Sequence, residues 1–409
     1  MEYFFVIGLD PAIVNLAVLS LVIILLSLLI KRLKQPYVIA YILAGVLVGP
    51  YGFRLLTDEA AISNLGSLGL IFLLFFVGTE ISVPTLAKNF KKPLMGAIMQ
   101  VALSLLFISL LGFFMKWSLA VVILLSFVIS LSSSAVIFRY LRENNELNTD
   151  LGQLVSAILL IQDIIIVPML VFLNFMGSRE LKTYELAITS AGGILILLFL
   201  RLVVKKSELK LPFPKELQQE HELQVFAGLF LCFGFSLATS FFGLSAALGA
   251  FLAGVLVSQA KATHWLQQSL MPFQVFFMAL FFVSVGLMLD LNFLVENLNI
   301  ILGVLVLVFL INSLINSLIF KLMGVNWRNS IYAGALLSQI GEFSFVLTAV
   351  GYRLHLIGDY SYQFTLSVIA LTMLMTSIWI NIIKIFVFKE PSTLLRILKL
   401  RKSMLSRMF

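Results

Sequence analysis

The chain reads as an all-α polytopic membrane protein of thirteen transmembrane helices, built on an inverted-topology repeat with two discontinuous helices that cross near the middle of the bilayer. Three observations predict this. The composition is too apolar and too poor in charge for a soluble globule. A pair of apolar motifs recurs in one register about half a chain later. Two otherwise apolar segments carry polar interruptions at corresponding places in the two halves.

Of 409 residues 61% are hydrophobic and 12% charged, with mean hydropathy +1.07. Soluble domains carry roughly 25% charged residues, about twice as many. The apolar segments are apolar all round and do not alternate as barrel strands would, so helices are the spanning elements. At ~20 residues per span they fall at about 11–30, 36–50, 62–79, 93–115, 118–138, 151–176, 184–204, 222–241, 244–259, 272–289, 298–320, 329–351 and 362–388. The N-terminal Met1-Glu2-Tyr3-Phe4 has no basic stretch, so the first span is expected to be retained and not cleaved as a signal peptide.

One cysteine, Cys232, excludes an intramolecular disulfide. His221, His264 and His355 sit in or beside loops, with no HxxxH or HxxE spacing, so neither a bound metal nor any other cofactor is expected. There is no nucleophile paired with a base and no phosphate loop, which argues against an enzyme.

Numbering the connections in order separates the 28 basic residues sharply. Arg54, Lys116, Arg179, Lys182 and Arg353 fall on the even side, and the other 23 fall on the odd side. The positive-inside rule then places the odd side in the cytoplasm, the N-terminus outside and the C-terminus inside. Topology thus explains the net charge of +8 without nucleic acid as a partner. Residues 389–409 form a short basic tail interleaved with Leu and Ile, expected to lie on anionic membrane lipids as a cytoplasmic interfacial helix.

Leu43-Ala44-Gly45-Val46-Leu47-Val48 recurs as Leu252-Ala253-Gly254-Val255-Leu256-Val257, an offset of 209. Phe75-Phe76-Val77-Gly78-Thr79-Glu80 is echoed by Phe281-Phe282-Val283-Ser284-Val285-Gly286, with Asp290 beyond. The shift carries span two onto span nine, seven spans away. Seven is odd, so the halves are inverted across the membrane, an arrangement that places a transporter's binding site near the midplane. The interruptions obey the same shift: Ile129–Ala135, with Ser132, Ser133 and Ser134, in span five, and Leu337–Phe343, with Gln339 and Glu342, in span twelve. Such paired breaks free backbone groups to face an ion.

Asp163 lies at the midpoint of Leu151–Met176, where a carboxylate costs at least ~2.5–3.5 kcal/mol on insertion scales and therefore marks an ion or proton path. Gln162 precedes it, and Pro168 should kink the helix a turn later. Glu342 is a second intramembrane acid, with Gln339 on the same helical face; it reads either as a coordinating counter-charge or as a structural acid across the break. Asn312, Ser313, Asn316 and Ser317 form a polar stripe in span eleven that interhelical hydrogen bonding explains. Glu80 and Asp290 end their spans and read as helix caps or vestibule residues.

Together, Leu33-Lys34-Gln35-Pro36 through Gly45, Gly49-Pro50, Phe-Phe-Val-Gly-Thr-Glu, the Ser132–Ser134 cluster, Gln162-Asp163, Gly249-Ala250-Phe251-Leu252-Ala253-Gly254, Val285-Gly286-Leu287-Met288-Leu289-Asp290 and Gln339-Ile340-Gly341-Glu342-Phe343 occur in one order from about residue 20 to 385. As a set they resemble the monovalent cation:proton antiporter-2 family, and most of all the membrane domain of Kef-type potassium efflux proteins. The resemblance implies a sodium/proton-antiporter-like fold over residues 1–388. It also implies a homodimer, with a dimerisation part and mobile core helices around 118–176 and 329–388, and Asp163 binding cation and proton in turn. The Gln-Asp pair is the form of potassium-linked members. The sequence departs from the pattern in three places. Asn312 stands where many members carry a lysine. The loop read as His-Ala-Leu-Glu-Ser-Asp in gated members is His264-Trp265-Leu266-Gln267-Gln268-Ser269 here. No nucleotide-binding region is expected after the last span, so glutathione gating is not expected, and a separate regulatory subunit is left open.

The expected function is exchange of a monovalent cation, K⁺ before Na⁺, for protons by alternating access. Asp163 is the shared carrier, with Gln162, Ser133 and Ser134 supplying neutral oxygens and Ser132, Gln339, Glu342 and Asn312 supporting the core. The expected location is a bacterial inner membrane. Two rivals stay open: an ungated channel or leak pathway, and a transport-dead sensor or scaffold that keeps the fold.

Overall fold

The computed structural model describes residues 11–32, 37–56, 59–80, 91–177, 192, 195, 220–242, 244, 246–259 and 264–388. The described elements are all helical: α1 (Pro11–Arg32), α2 (Tyr37–Val48), α3 (Glu59–Glu80), α4 (Lys91–Met115), α5 (Leu119–Ser130), α6 (Ser134–Glu143), α7 (Asp150–Gly177), α8 (His221–Phe241), α9 (Ala246–Gln259), α10 (His264–Leu287), α11 (Leu291–Glu296), α12 (Leu298–Leu322), α13 (Trp327–Leu336), α14 (Phe343–Arg353) and α15 (Asp359–Phe388). Among them α1, α4, α7, α8, α10, α12 and α15 are each long and apolar enough to cross a membrane. Twelve of the thirteen expected spans fall on described helices. The seventh, at 184–204, lies almost wholly outside the described residues, as does the 389–409 tail.

Both expected interruptions are present. Span five is α5 and α6 separated by Leu131–Ser133, and span twelve is α13 and α14 separated by Leu337–Glu342. The first halves start alike. Ser118 caps α5 by accepting from the Val121 N–H at 3.4 Å, and Asn326 caps α13 by accepting from the Asn329 N–H at 2.9 Å. Both caps are extended, at φ/ψ of −66/154° and −66/155°, the usual geometry for a side chain that satisfies the orphan donors of a first turn. Their separation, 208 residues, is within one residue of the 209-residue offset of the sequence repeat. Pro168 does not end α7, which continues through it to Gly177.

The helices fall into two compact units. The first holds α1–α3, α7 from Asp163 onward, α8–α11 and residues 349–358. Here α2 packs on α10 and α3 on α9. A Cβ placed on Gly45 would lie 2.1 Å from the Val283 carbonyl oxygen, and one on Gly286 would lie 2.1 Å from that of Ile42. Likewise Gly78 faces Phe251 and Gly254, and Gly254 faces Phe75 and Gly78, at 2.0–2.9 Å. Each repeated motif therefore meets the other half's different motif, backbone to backbone, as a pseudo-two-fold relation requires. The core beside them is aromatic: Phe72 stacks on Phe277 at 3.8 Å and meets Phe233 edge-on at 5.1 Å, above buried Cys232, Ala250 and Ala253. Asp290 accepts from the N–H groups of Asn292 and Phe293, capping α11.

The second unit holds α4–α6, α7 through Gln162, α12, α13, α14 through Thr348, and α15. In it α12 packs on α13, α15 and α4, and α4 packs on α5. Phe309 of α12 stacks on Trp379 of α15 at 5.1 Å, and the Trp379 indole donates to the Ser313 hydroxyl at 2.9 Å.

Candidate functional site

A helix interrupted inside a membrane frees N–H and C=O groups that lipid cannot satisfy, so the breaks stand only if the protein supplies partners. Within the second unit the two breaks touch: the Gly341 N–H donates to the Leu131 carbonyl at 2.8 Å. A Cβ at Gly341 would lie 2.7–2.8 Å from backbone atoms of Ser132 and Ser133, so only glycine allows the approach.

Four side-chain amides then take up the exposed backbone. Gln162 Oε1 accepts from the Ser132 N–H at 3.1 Å. Gln339, oriented so that both ends of its amide are satisfied, accepts from the Ser133 N–H at 3.2 Å and donates to the Leu336 carbonyl at 2.9 Å. Asn312 spends its two N–H donors on the Ile129 carbonyl at 3.0 Å and the Ser338 carbonyl at 3.1 Å, near the C-terminal ends of α5 and α13. Asn316 adds a bond to the Leu337 carbonyl at 3.2 Å. The Ser132 hydroxyl donates to that same Leu337 oxygen at 2.9 Å.

Glu342, buried at 7% exposure, occupies the opposite kind of position. The hydroxyls of Ser133 and Ser134 both donate to its carboxylate, and Ser133 itself caps α6 by accepting from the Val136 N–H at 3.3 Å. A carboxylate at a helix N-terminus meets the positive end of the backbone dipole. The carboxylate is thus hydrogen-bonded from the second break to the first, as in the reading of Glu342 as a structural acid across the break. Gln162, Ser132, Ser133, Ser134, Gln339, Glu342 and Asn312 all take part in this one network.

Asp163 is half-buried on α7, one residue after Gln162, and the boundary between the units falls between the two. Successive helical residues point about 100° apart. Gln162 therefore reaches the first break while Asp163 is directed round the helix from it.

Sequence reading missed Gln100 of α4. It is 1% exposed, and its Oε1 accepts from Gln162 Nε2 at 2.6 Å. Its own Nε2 has no partner among the described residues, a state that costs about 1–3 kcal/mol in a buried amide. The signal was available, since Gln100 is the sole amide side chain in Lys91–Met115, the same anomaly that marked Asp163.

A model of the transmembrane sodium/hydrogen exchanger family matches residues 17–385. The iron transporter MagA of Paramagnetospirillum magneticum is 31% identical over 370 residues, covering 90% of this chain and 85% of that protein. The glutathione-regulated potassium-efflux protein KefC of Escherichia coli is 32% identical over 86% of this chain, and K(+) efflux antiporter 5 of Arabidopsis thaliana is 30% identical over 86%. The chain spans 57% and 63% of the length of those two relatives. Among solved structures, the sodium proton antiporter MjNhaP1 of Methanocaldococcus jannaschii superposes with TM-score 0.65 at 17% identity, over 93% of this chain and all of that one. That likeness establishes the fold. With the family match across nearly its whole length and relatives above 30% identity, this chain is an integral membrane protein belonging to the sodium/hydrogen exchanger family of transporters.

Proposed function

We propose that the chain exchanges a monovalent cation for protons by alternating access, with Asp163 as the shared carrier. The observation that supports this best is the meeting of the two helix breaks at Gly341 and Leu131, the first break being held by the amide of Gln162, one residue from that carboxylate. Coupling follows from competition: Asp163 holds either a proton or a partly dehydrated cation, and the core helices move only while its charge is neutralised. The Ser133 and Ser134 hydroxyls donate to Glu342 and keep oxygen lone pairs for a cation. Gln162 Oε1 accepts one bond and retains a second lone pair. Neutral oxygens suit a large, weakly hydrated ion, so K⁺ is favoured over Na⁺, in keeping with the potassium-efflux names of two relatives. The proposal includes a homodimer in a bacterial inner membrane, with the N-terminus outside and the basic tail in the cytoplasm.

Purified protein in liposomes with an internal pH dye tests the reading, with K⁺, Na⁺, Rb⁺ and Li⁺ added in turn and Fe²⁺ as the arm suggested by MagA. The expected result is saturable, cation-dependent proton flux that Asp163→Asn abolishes while the protein stays folded. Flux surviving in Asp163→Asn would sink the carrier role. Non-saturating flux uncoupled from pH would point to a leak, and no flux in the wild type to a protein that keeps the fold without transport.

A further inference from the structure

The Gln162 amide can face only one way. Its Nε2 donates to Gln100 Oε1 at 2.6 Å and directs its other hydrogen at the Ser130 carbonyl at 3.4 Å, while its Oε1 accepts from the Ser132 N–H at 3.1 Å. Turned over, the amide would set its oxygen against two acceptors and its nitrogen against a donor. The Ser130 contact is at the long edge of hydrogen-bond range, so the short bond to Gln100 fixes the orientation. Gln100 in turn uses only its oxygen, its Nε2 lacking a partner among the described residues. An acceptor is what the site takes from this side chain, and glutamine supplies it without a charge.

We propose that Gln100 is a positioning residue for exchange: it holds the Gln162 amide across the first helix break, and through it fixes the turn of α7 that carries Asp163. It touches neither ion, and its effect runs through Gln162. The role rests on the reading of Asp163 as the carrier.

The test is a double-mutant cycle in the liposome assay, with folding followed by size exclusion. Gln100→Met, close in shape but lacking the acceptor, should raise the cation KM about fivefold, as loss of one buried hydrogen bond implies, with kcat within about twofold. Gln162→Ala should raise KM at least as far, and the pair together no further than Gln162→Ala alone, since one residue acts through the other. Gln100→Glu restores the acceptor and should return KM to within about twofold of wild type. Additive effects in the pair, an unchanged KM in Q100M, or a KM raised fivefold in Q100E would each overturn the proposal while antiport stands. Q100E decides it even where Q100M fails to fold. Absence of cation-dependent proton flux in the wild type overturns the antiport reading, and this role with it.

Discussion

In the first unit the repeated segments meet where glycine takes the side chain away; in the second they meet where glutamine and asparagine provide one. The helices at Gly45, Gly78, Gly254 and Gly286 are unbroken, their backbones are satisfied internally, and close packing is what they gain from each other. At the crossing of α5–α6 with α13–α14 the helices are interrupted, and contact there satisfies backbone groups that lipid would leave bare. The first contact should tolerate no added volume; the second, which also closes on a glycine at Gly341, should in addition tolerate no missing partner.

The largest effect is expected where volume is added. Gly254→Ala puts a Cβ 2.0 Å from the Phe75 carbonyl oxygen and 2.8 Å from Gly78 Cα, with backbone on both sides and nothing able to yield. A loss of order 3 kcal/mol or more follows, seen as collapse of the monodisperse peak and of the melting transition in detergent. Gly303→Ala, on α12 with open space around it, is the control. If the two alanines behave alike, tight backbone packing is not what the first unit depends on.

Next comes the missing partner. Asn312→Ala strips donors from both the Ile129 and Ser338 carbonyls. At about 0.6 kcal/mol for an average interhelical bond in a membrane and about 1.7 at most, the cost should be roughly 1–3 kcal/mol, smaller than at Gly254. Asn312→Asp keeps the size but presents oxygen to those carbonyls, so it should melt below Asn312→Ala. The reverse order would mean that volume and not hydrogen bonding matters there.

How much of this was legible in the sequence differs between the units for the same physical reason. The glycine contacts lie inside the motifs that repeat, because an apolar helix with a bare face is under one constraint and both copies keep it. The breaks were legible as well, since Ser132–Ser134 and Ser338–Glu342 interrupt apolar runs and no lipid-facing helix would carry them. The partners of the breaks were not. That Asn312 reaches two carbonyls from helices 26 and 183 residues away depends on tertiary packing that no local period encodes, and the polar stripe on α12 predicted hydrogen bonds without saying to what. Gln100 was overlooked because a lone amide in an apolar helix looks like an isolated tolerance until its neighbour is known. The reach of α10 back to His264, eight residues before the expected start of the span, reflects helix continuing through Pro272, which composition alone read as a boundary.

The smallest effect sharpens the contrast by moving within the second unit, away from the crossing. Lys384 of α15 sits 2.5 Å from Glu146 in the turn between α6 and α7, and the Tyr332 hydroxyl of α13 donates to the other carboxylate oxygen at 2.6 Å. These side chains are 21% and 23% exposed, so water screens the pair in a way it cannot screen Asn312. Glu146→Gln keeps an acceptor for Tyr332 and loses the charge, and should cost about 0.5–1 kcal/mol. The sign of the salt response separates the two places. The Glu146→Gln deficit should shrink as ionic strength rises, because salt weakens the wild-type pair that the variant lacks, whereas the Asn312→Ala deficit should not move. Melting both variants across a salt series decides it. A Glu146→Gln loss that equals Asn312→Ala and ignores salt would show that this turn is held by the same neutral hydrogen bonding as the crossing and not by charge.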